Sequence, residues 1–332
     1  MSTRLSTLPL TAVLALVAAA WLAPGPFCCS MATAEPAPTL QPPAGTSPRQ
    51  QAGGRTAPPI QVAPGVAAGP TPKTKFDPKV HGFEFTNYFT GDILVDLPVI
   101  GRLDLGDTTY GLCGGMVFSA LDTFKLGATT PDVPTTPPAS GTPIRSYVYE
   151  RQMDSLKYDN WFLVQKLIKW MRKPLKDQTV PNPLAKGGKN VLERGLITLS
   201  RRQFKEKIRP ALDEGRPVPI VLVKADGEDM ATNPKAAFSK NHQVLAIGYH
   251  KYGDDWQIDI YDPNFPNTTQ TLHTDGRYQT ERGKTAHTGK FRGFFRAPYN
   301  PHRPPWVQDS QAVADRIKRA PLESLGKPES ED

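Results

Sequence analysis

The chain has 332 residues, 38% of them apolar and 22% charged, enough for one or two domains with a buried core. Its 35 prolines, about twice the usual ~5% share, and its 27 glycines impose long irregular stretches. The net charge of +8 comes without any dense Lys/Arg run interleaved with aromatics, which argues against a nucleic-acid partner; the lack of a second bilayer-length apolar stretch after residue 25 excludes a polytopic membrane protein.

The first 34 residues read as an export signal. Arg4 supplies a positive n-region, residues 8–22 form an almost unbroken apolar run, and Ala32-Thr33-Ala34 places small residues where a signal peptidase cuts. Cleavage after Ala34 is the preferred reading; a cut near Ala20 or Ala23, or an uncleaved anchor, are the alternatives. The expected location is secreted or cell-envelope, with no membrane contact after signal removal. Cys28 and Cys29 follow the apolar run, but Gly25-Pro26-Phe27 before them lacks the sequence context of lipid attachment. Residues 35–74 hold almost no large apolar side chain and cannot offset their ordering entropy, so they are predicted to be a disordered tether. The folded domain is expected over 75–308, followed by a polar tail, 309–332, with a short surface helix at 312–319.

Within the domain, Met116, Ala120, Leu121 and Phe124 recur at helical spacing, and Gly127 marks the stop, which predicts a helix starting at or just after Cys113. Residues 127–147 read as a loop, either a plain insertion or a border of the cleft. Trp161, Val164, Ile168 and Met171 predict a second amphipathic helix. Ser200 and Gln203 have capping-box spacing before the stripe Phe204, Ile208, Ala211, Leu212; Pro210 predicts a kink or early end, and Gly215 closes the helix. Residues 218–223 are an apolar run expected as a buried strand, with Pro219 limiting where its ladder begins. Residues 241–249 and 256–264 read as two strands joined by the hairpin chemistry of Tyr252-Gly253-Asp254-Asp255.

Three cysteines are present and two lie in the leader, so cleavage leaves Cys113 alone and closes the disulfide reading. An inert buried thiol, an intermolecular bridge or a reactive nucleophile remain. Its place at a helix start favours a thiolate, because unpaired N–H groups and the positive end of the dipole point there. Gly114 and Gly115, poor helix formers, are read either as room for a substrate backbone beside the sulfur or as a flexible loop-to-helix turn. His242 begins one predicted strand and Asp262 ends its neighbour, so the two are expected side by side, a carboxylate holding an imidazole in one tautomer.

The run GLCGGMVFSAL around Cys113 resembles the cysteine-bearing helix start of papain-like peptidases, NHQVLAIGY resembles their histidine strand, and IYDPN stands where they carry the orienting residue. The Asp-Pro and the preceding Gly-Arg-Pro-Val are most similar to the bacterial peptidases that process bacteriocin leaders. The resemblance covers roughly 105–265. It implies a papain-like α+β fold, with an N-terminal helical part carrying the cysteine helix packed on an antiparallel sheet that carries the histidine and the acid. It also implies a Cys113–His242–Asp262 triad acting through a thioester acyl-enzyme on a protein or peptide substrate, cleaving peptide or isopeptide bonds.

Two positions depart from the family. Gly114 stands where an aromatic residue commonly follows the cysteine. Six residues before the cysteine, where these enzymes usually place an oxyanion-binding glutamine, the chain has Asp107, and a carboxylate repels developing negative charge. The Cys113 N–H is one donor, and Thr108, Thr109, Tyr110 or the more distant Asn87 are candidates for another; Gly114, Gly115, Asn241 and Asn264 complete the cleft candidates. The alternative reading is a secreted binding module on a catalytically inactive papain-like fold. His81, His250, His273, His287 and His302 lack paired spacing, so no metal is expected, and no cofactor. Gly283-Lys284-Thr285 resembles the end of a phosphate loop but has Tyr278 where the first glycine belongs. The oligomeric state is left open by the sequence.

Overall fold

A computed structural model of the chain describes residues 74–90, 94–97, 101–104, 111–131, 133–181, 190–276, 278–279 and 291–319. All belong to the compact unit Ala68–Asp332. The predicted signal peptide, the tether up to residue 73, the segments 105–110 and 280–290, and the tail beyond 319 lie outside the described residues.

In chain order the elements are α1 (Pro78–His81), the hairpin β1 (Leu94–Leu97) and β2 (Gly101–Asp104), α2 (Cys113–Lys125) and α3 (Pro143–Arg172). A second small ribbon, β3 (Gln178–Pro181) and β4 (Asn190–Glu193), leads into α4 (Leu196–Gln203), a π-helical turn (Phe204–Ile208) and α5 (Arg209–Asp213). Then come β5 (Val218–Val223), α6 (Gly227–Thr232), α7 (Pro234–Lys240), β6 (His242–Tyr252), β7 (Asp255–Tyr261), β8 (Thr269–His273), β9 (Tyr278–Gln279), β10 (Gly293–Arg296) and α8 (Gln311–Arg319). The fold is mixed α+β.

A six-stranded antiparallel sheet in the order β10–β5–β6–β7–β8–β9 forms the centre. All six residues of β5 are buried, as a strand covered on both faces requires. The alternation along β6 shows what covers it. Leu245 and Ile247 join the cluster of Met116, Val117, Leu121 and the aromatics Phe76, Phe83, Phe85 and Phe89. Val244 and Ala246 point the other way, onto Phe204, Ile208, Ala211 and Leu212. The sheet therefore carries α2 on one face and the 204–213 segment on the other. Each fully buried Leu, Ile or Phe in these clusters contributes roughly 1.5–3 kcal/mol.

Several boundaries differ from the sequence reading. Helix α3 begins at Pro143, well before Trp161, because Thr142 caps it by accepting the Arg145 N–H and Pro143 suits a first helical position; the predicted 127–147 loop is shorter by that much. Ser200 and Gln203 are not a cap. Helix α4 starts at Leu196 after Gly195, and the two side chains instead accept the backbone N–H groups of Phe294 and Arg296, holding β10 in place. Pro210 is accommodated by the π-helical turn before it, where the Arg209 N–H donates to the Phe204 carbonyl five residues back. Gly215, at φ +73°, closes α5 as predicted. Pro219 leaves the ladder to β6 intact from Val218, while pairing with β10 begins only at Ile220.

Thr74, expected in the tether, is part of the fold. A bulge at Ala246/Gly248 leaves the Ile247 carbonyl outside the β6–β7 ladder, and the Thr74 N–H and hydroxyl donate to it at 2.8 and 2.9 Å.

One buried polar knot ties the C-terminal segment to the helices. The Asp122 carboxylate accepts from Arg151 Nε at 2.7 Å, Tyr147 OH at 2.9 Å, Tyr299 OH at 2.6 Å and the His302 N–H at 2.8 Å. Arg151 also donates to the Asn300 carbonyl and to Asp154. Asp122 and Arg151 are at most 1% exposed, so this is an ion pair inside the core, satisfied on both sides.

Candidate active site

Cys113 is the first residue of α2. Leu112 before it offers no side-chain cap, so the open N–H groups of the first turn find partners elsewhere in the chain. Asn87 Oδ1 accepts the Leu112 N–H at 2.6 Å, and Gln152 Oε1, from α3, accepts the Gly115 N–H at 3.0 Å. The Cys113 N–H lies between these two anchored groups. Its thiol is half-buried and close enough to the His242 ring to influence its protonation.

His242 opens β6, and its Nε2 lies 2.7 Å from Asp262 Oδ1. That contact takes Nε2, which leaves Nδ1 as the ring nitrogen for the sulfur. The two residues are not cross-strand neighbours, as the sequence reading had them. Tyr261 faces Leu245, so continuing the ladder would put Asp262 opposite Val244, two residues from the histidine. A turn closes the gap. The Asp262 carbonyl accepts the Phe265 N–H and its Oδ1 accepts the Asn264 N–H at 2.8 Å, so Asp262-Pro263-Asn264 folds back and aims the carboxylate at the ring.

Burial is the strongest single influence on His242 and disfavours its charged form. The Asp262 charge, the hydrogen bond to it and the contact with Cys113 outweigh that, and its pKa is pushed up to about 10. The shift favours the imidazolium form of a ring with the Asp262 carboxylate on one side and the Cys113 sulfur nearby, an arrangement suited to handing a proton to a leaving group.

The other cleft candidates separate into three groups. Thr108, Thr109, Tyr110 and Asp107 lie outside the described residues. Gly114 and Gly115 are buried and give a substrate no room. A Cβ on Gly114 would overlap Gln243 Oε1 and Ser155 Oγ, and one on Gly115 would overlap the Val148 carbonyl, so the glycines are there to let α2 pack tightly on α3 and β6. Asn241 is also removed from the cleft. Its Oδ1 accepts the Lys224 and Ala225 N–H groups and its Nδ2 donates to the Ala237 carbonyl, which clasps the end of β5 to α7. Asn264 belongs to the site, with its Nδ2 3.3 Å from His242 Nε2.

Asn87 joins both halves. Besides holding Leu112, its Nδ2 donates to Asn264 Oδ1 at 3.1 Å and its own N–H donates to the Pro263 carbonyl at 3.0 Å. Gln152, Ser155 and Gln243 around the α2 start escaped the sequence reading. The signal for the first two was Thr142-Pro143: a helix begun there puts Val148, Gln152 and Ser155 on one face. Among the described residues, no group of three or more His, Cys, Asp or Glu is placed to hold a metal ion. No family model, no curated protein and no solved structure matches the chain.

Proposed function

We propose that the chain is an exported cysteine hydrolase of papain-like type that cleaves peptide or isopeptide bonds. The observation that carries this reading is the convergence of three residues from separate elements: a thiol at a helix start, an imidazole near enough for each to influence the other, and a buried carboxylate on Nε2 of that ring. The Cys113 sulfur attacks the carbonyl carbon, with its proton held on His242, and the tetrahedral oxyanion is met by the Cys113 N–H. The imidazolium gives its proton to the leaving nitrogen as the C–N bond breaks, leaving a thioester and a free amine. Water then attacks the thioester with His242 taking its proton, the acid is released, and the proton returns to sulfur. Asp262 holds the ring in the required tautomer throughout. The helix-on-sheet placement of Cys113 and His242 supports the papain-like reading of the fold, and the leader composition supports export.

The test is alkylation of the full chain by iodoacetamide between about pH 6 and 8, compared with His242→Ala. The reading expects wild-type labelling at Cys113 to stay fast at the acid end and to fall about 100-fold in the variant. Equal rates for the two proteins would remove the enzyme and leave a binding module on an inactive fold.

A further inference from the structure

Two asparagine amides run in series from the start of α2 to the His242 ring, and their orientation is fixed by one unambiguous group. The Leu112 backbone N–H can only donate, so the Asn87 atom 2.6 Å from it is the carbonyl oxygen. That turns the Asn87 NH₂ toward Asn264, whose facing atom must then accept and is Oδ1, at 3.1 Å. The Asn264 NH₂ is thereby the group presented to His242 Nε2, at 3.3 Å. An NH₂ cannot accept the Nε2 proton. Among the described residues, the acceptor left beside that proton is Asp262 Oδ1 at 2.7 Å.

Resting on the reading of Cys113, His242 and Asp262 as a triad, we infer that Asn87 is a positioning residue for it: acting through Asn264, it denies the Nε2 proton any acceptor but Asp262. Without Asn87 the Asn264 amide is free to turn over and offer its oxygen to Nε2–H, competing with the carboxylate and drawing the ring off its line to the sulfur. The titratable groups that face the ring are Asp262 and Cys113, so the competing acceptor is neutral and weakens the ion pair that keeps the ring charged. Space around Asn87 is tight, which holds the arrangement: a Cβ on Gly111 would stand 2.7 Å from Asn87 Nδ2.

The experiment is a double-mutant cycle read by the iodoacetamide rate at Cys113 at pH 6.5 in the full chain, with the His242 Nε2–H proton resonance as a second signal. Asn87→Ala is expected to slow alkylation about tenfold, the size of one unit of pKa. Asn264→Ala, which removes the competing oxygen, is expected to label faster than Asn87→Ala, and the double variant returns to the rate of Asn264→Ala. A double variant as slow as Asn87→Ala would overturn the inference, since it would make Asn87 a support for Leu112 alone; so would an Asn87→Ala rate equal to wild type. If Asn87→Ala does not fold, Asn87→Asp takes its place, since it keeps an acceptor for Leu112 and its added charge is common to both arms of the cycle. Failure of the triad reading itself looks different: wild type then alkylates no faster than His242→Ala, and the inference falls with it.

Discussion

Asp262 Oδ1 stands 2.7 Å from His242 Nε2 across 20 residues of sequence, and both groups are buried. The carboxylate raises the pKa of the ring to about 10 against the opposing effect of burial. A group whose folded pKa lies above its unfolded value adds stability that is complete below the unfolded pKa, near 6.5, and is lost as pH rises through about 10. Denaturant unfolding is therefore expected to show stability falling from about pH 6.5 to 10. In Asp262→Asn the ring loses its counter-charge, its NMR titration moves down by several units, and the fall flattens. A titration of the ring in Asp262→Asn that superimposes on wild type would contradict the geometry.

If the chain is the hydrolase proposed above, Cys113→Ala is expected to leave the fold intact and abolish turnover. The side chain is small and half-buried at a helix start whose N–H groups are held by Asn87 and Gln152, so alanine removes no packing partner of Met116 or Leu121. Cys113→Ser is expected to be nearly as inactive, because a hydroxyl is a far weaker nucleophile near neutral pH. Hydrolysis of an unstructured protein substrate followed by mass spectrometry should fall by on the order of 10³-fold or more in both, with melting temperatures unchanged. Residual turnover within tenfold of wild type would remove Cys113 from the chemistry.

The two glycines after the cysteine give a graded packing test. An added Cβ at Gly115 meets the Val148 carbonyl, which is backbone of α3 and cannot move alone. At Gly114 it meets the Gln243 and Ser155 side chains, which can rotate. Gly115→Ala is therefore expected to cost about 1–3 kcal/mol, and Gly114→Ala less. For a domain of this size that is a drop of about 2–4 °C per kcal/mol, measured by thermal unfolding. Equal tolerance of both would contradict the close packing of α2 on α3 at Gly115.

The parts of the site that were legible in the sequence are those set by local chemistry. The helical stripe of Met116, Ala120 and Leu121 fixes where Cys113 falls, and the alternation of Trp256, Ile258 and Ile260 fixes a strand beside that of His242. The contact between His242 and Asp262 was read correctly as a pair but for a reason that does not hold, since the turn chemistry of Asp-Pro-Asn closes the distance and the strand register does not. Gly114 and Gly115 read in the sequence as substrate room or as a flexible turn, and neither reading foresees the close approach to α3 and β6, which only those partner elements decide. Asn87 and Asn241 show the same limit. Both carry an amide able to serve a cleft, and the bonds that assign one to the site and the other to a clasp come from residues far away in sequence. Strands β8 and β10 and the true start of α3 were missed because their cues are short, and tertiary pairing with β7, β5 and α2 selects them.

The Asp122–Arg151 pair was invisible to periodicity, because the bond joins residues 29 apart and no local pattern marks either charge. In the fold the carboxylate accepts from Arg151, Tyr147, Tyr299 and the His302 N–H, so removing the arginine leaves a buried charge with neutral donors only. Arg151→Met is expected to destabilise the domain by about 3–5 kcal/mol in denaturant titration, and to loosen residues 299–302 from α2 and α3. Arg151 also lies over the rings of Phe118 and Tyr299, so part of that loss is packing, which the methionine stem retains. Replacing both charges, Asp122→Leu with Arg151→Met, should recover part of the loss, because no unpaired charge then remains in the core. Two tyrosine hydroxyls and one backbone N–H still lose their acceptor in the double variant, so the recovery is partial. If the double variant were no more stable than Arg151→Met, the penalty would lie in those orphaned donors and the ion pair itself would contribute little.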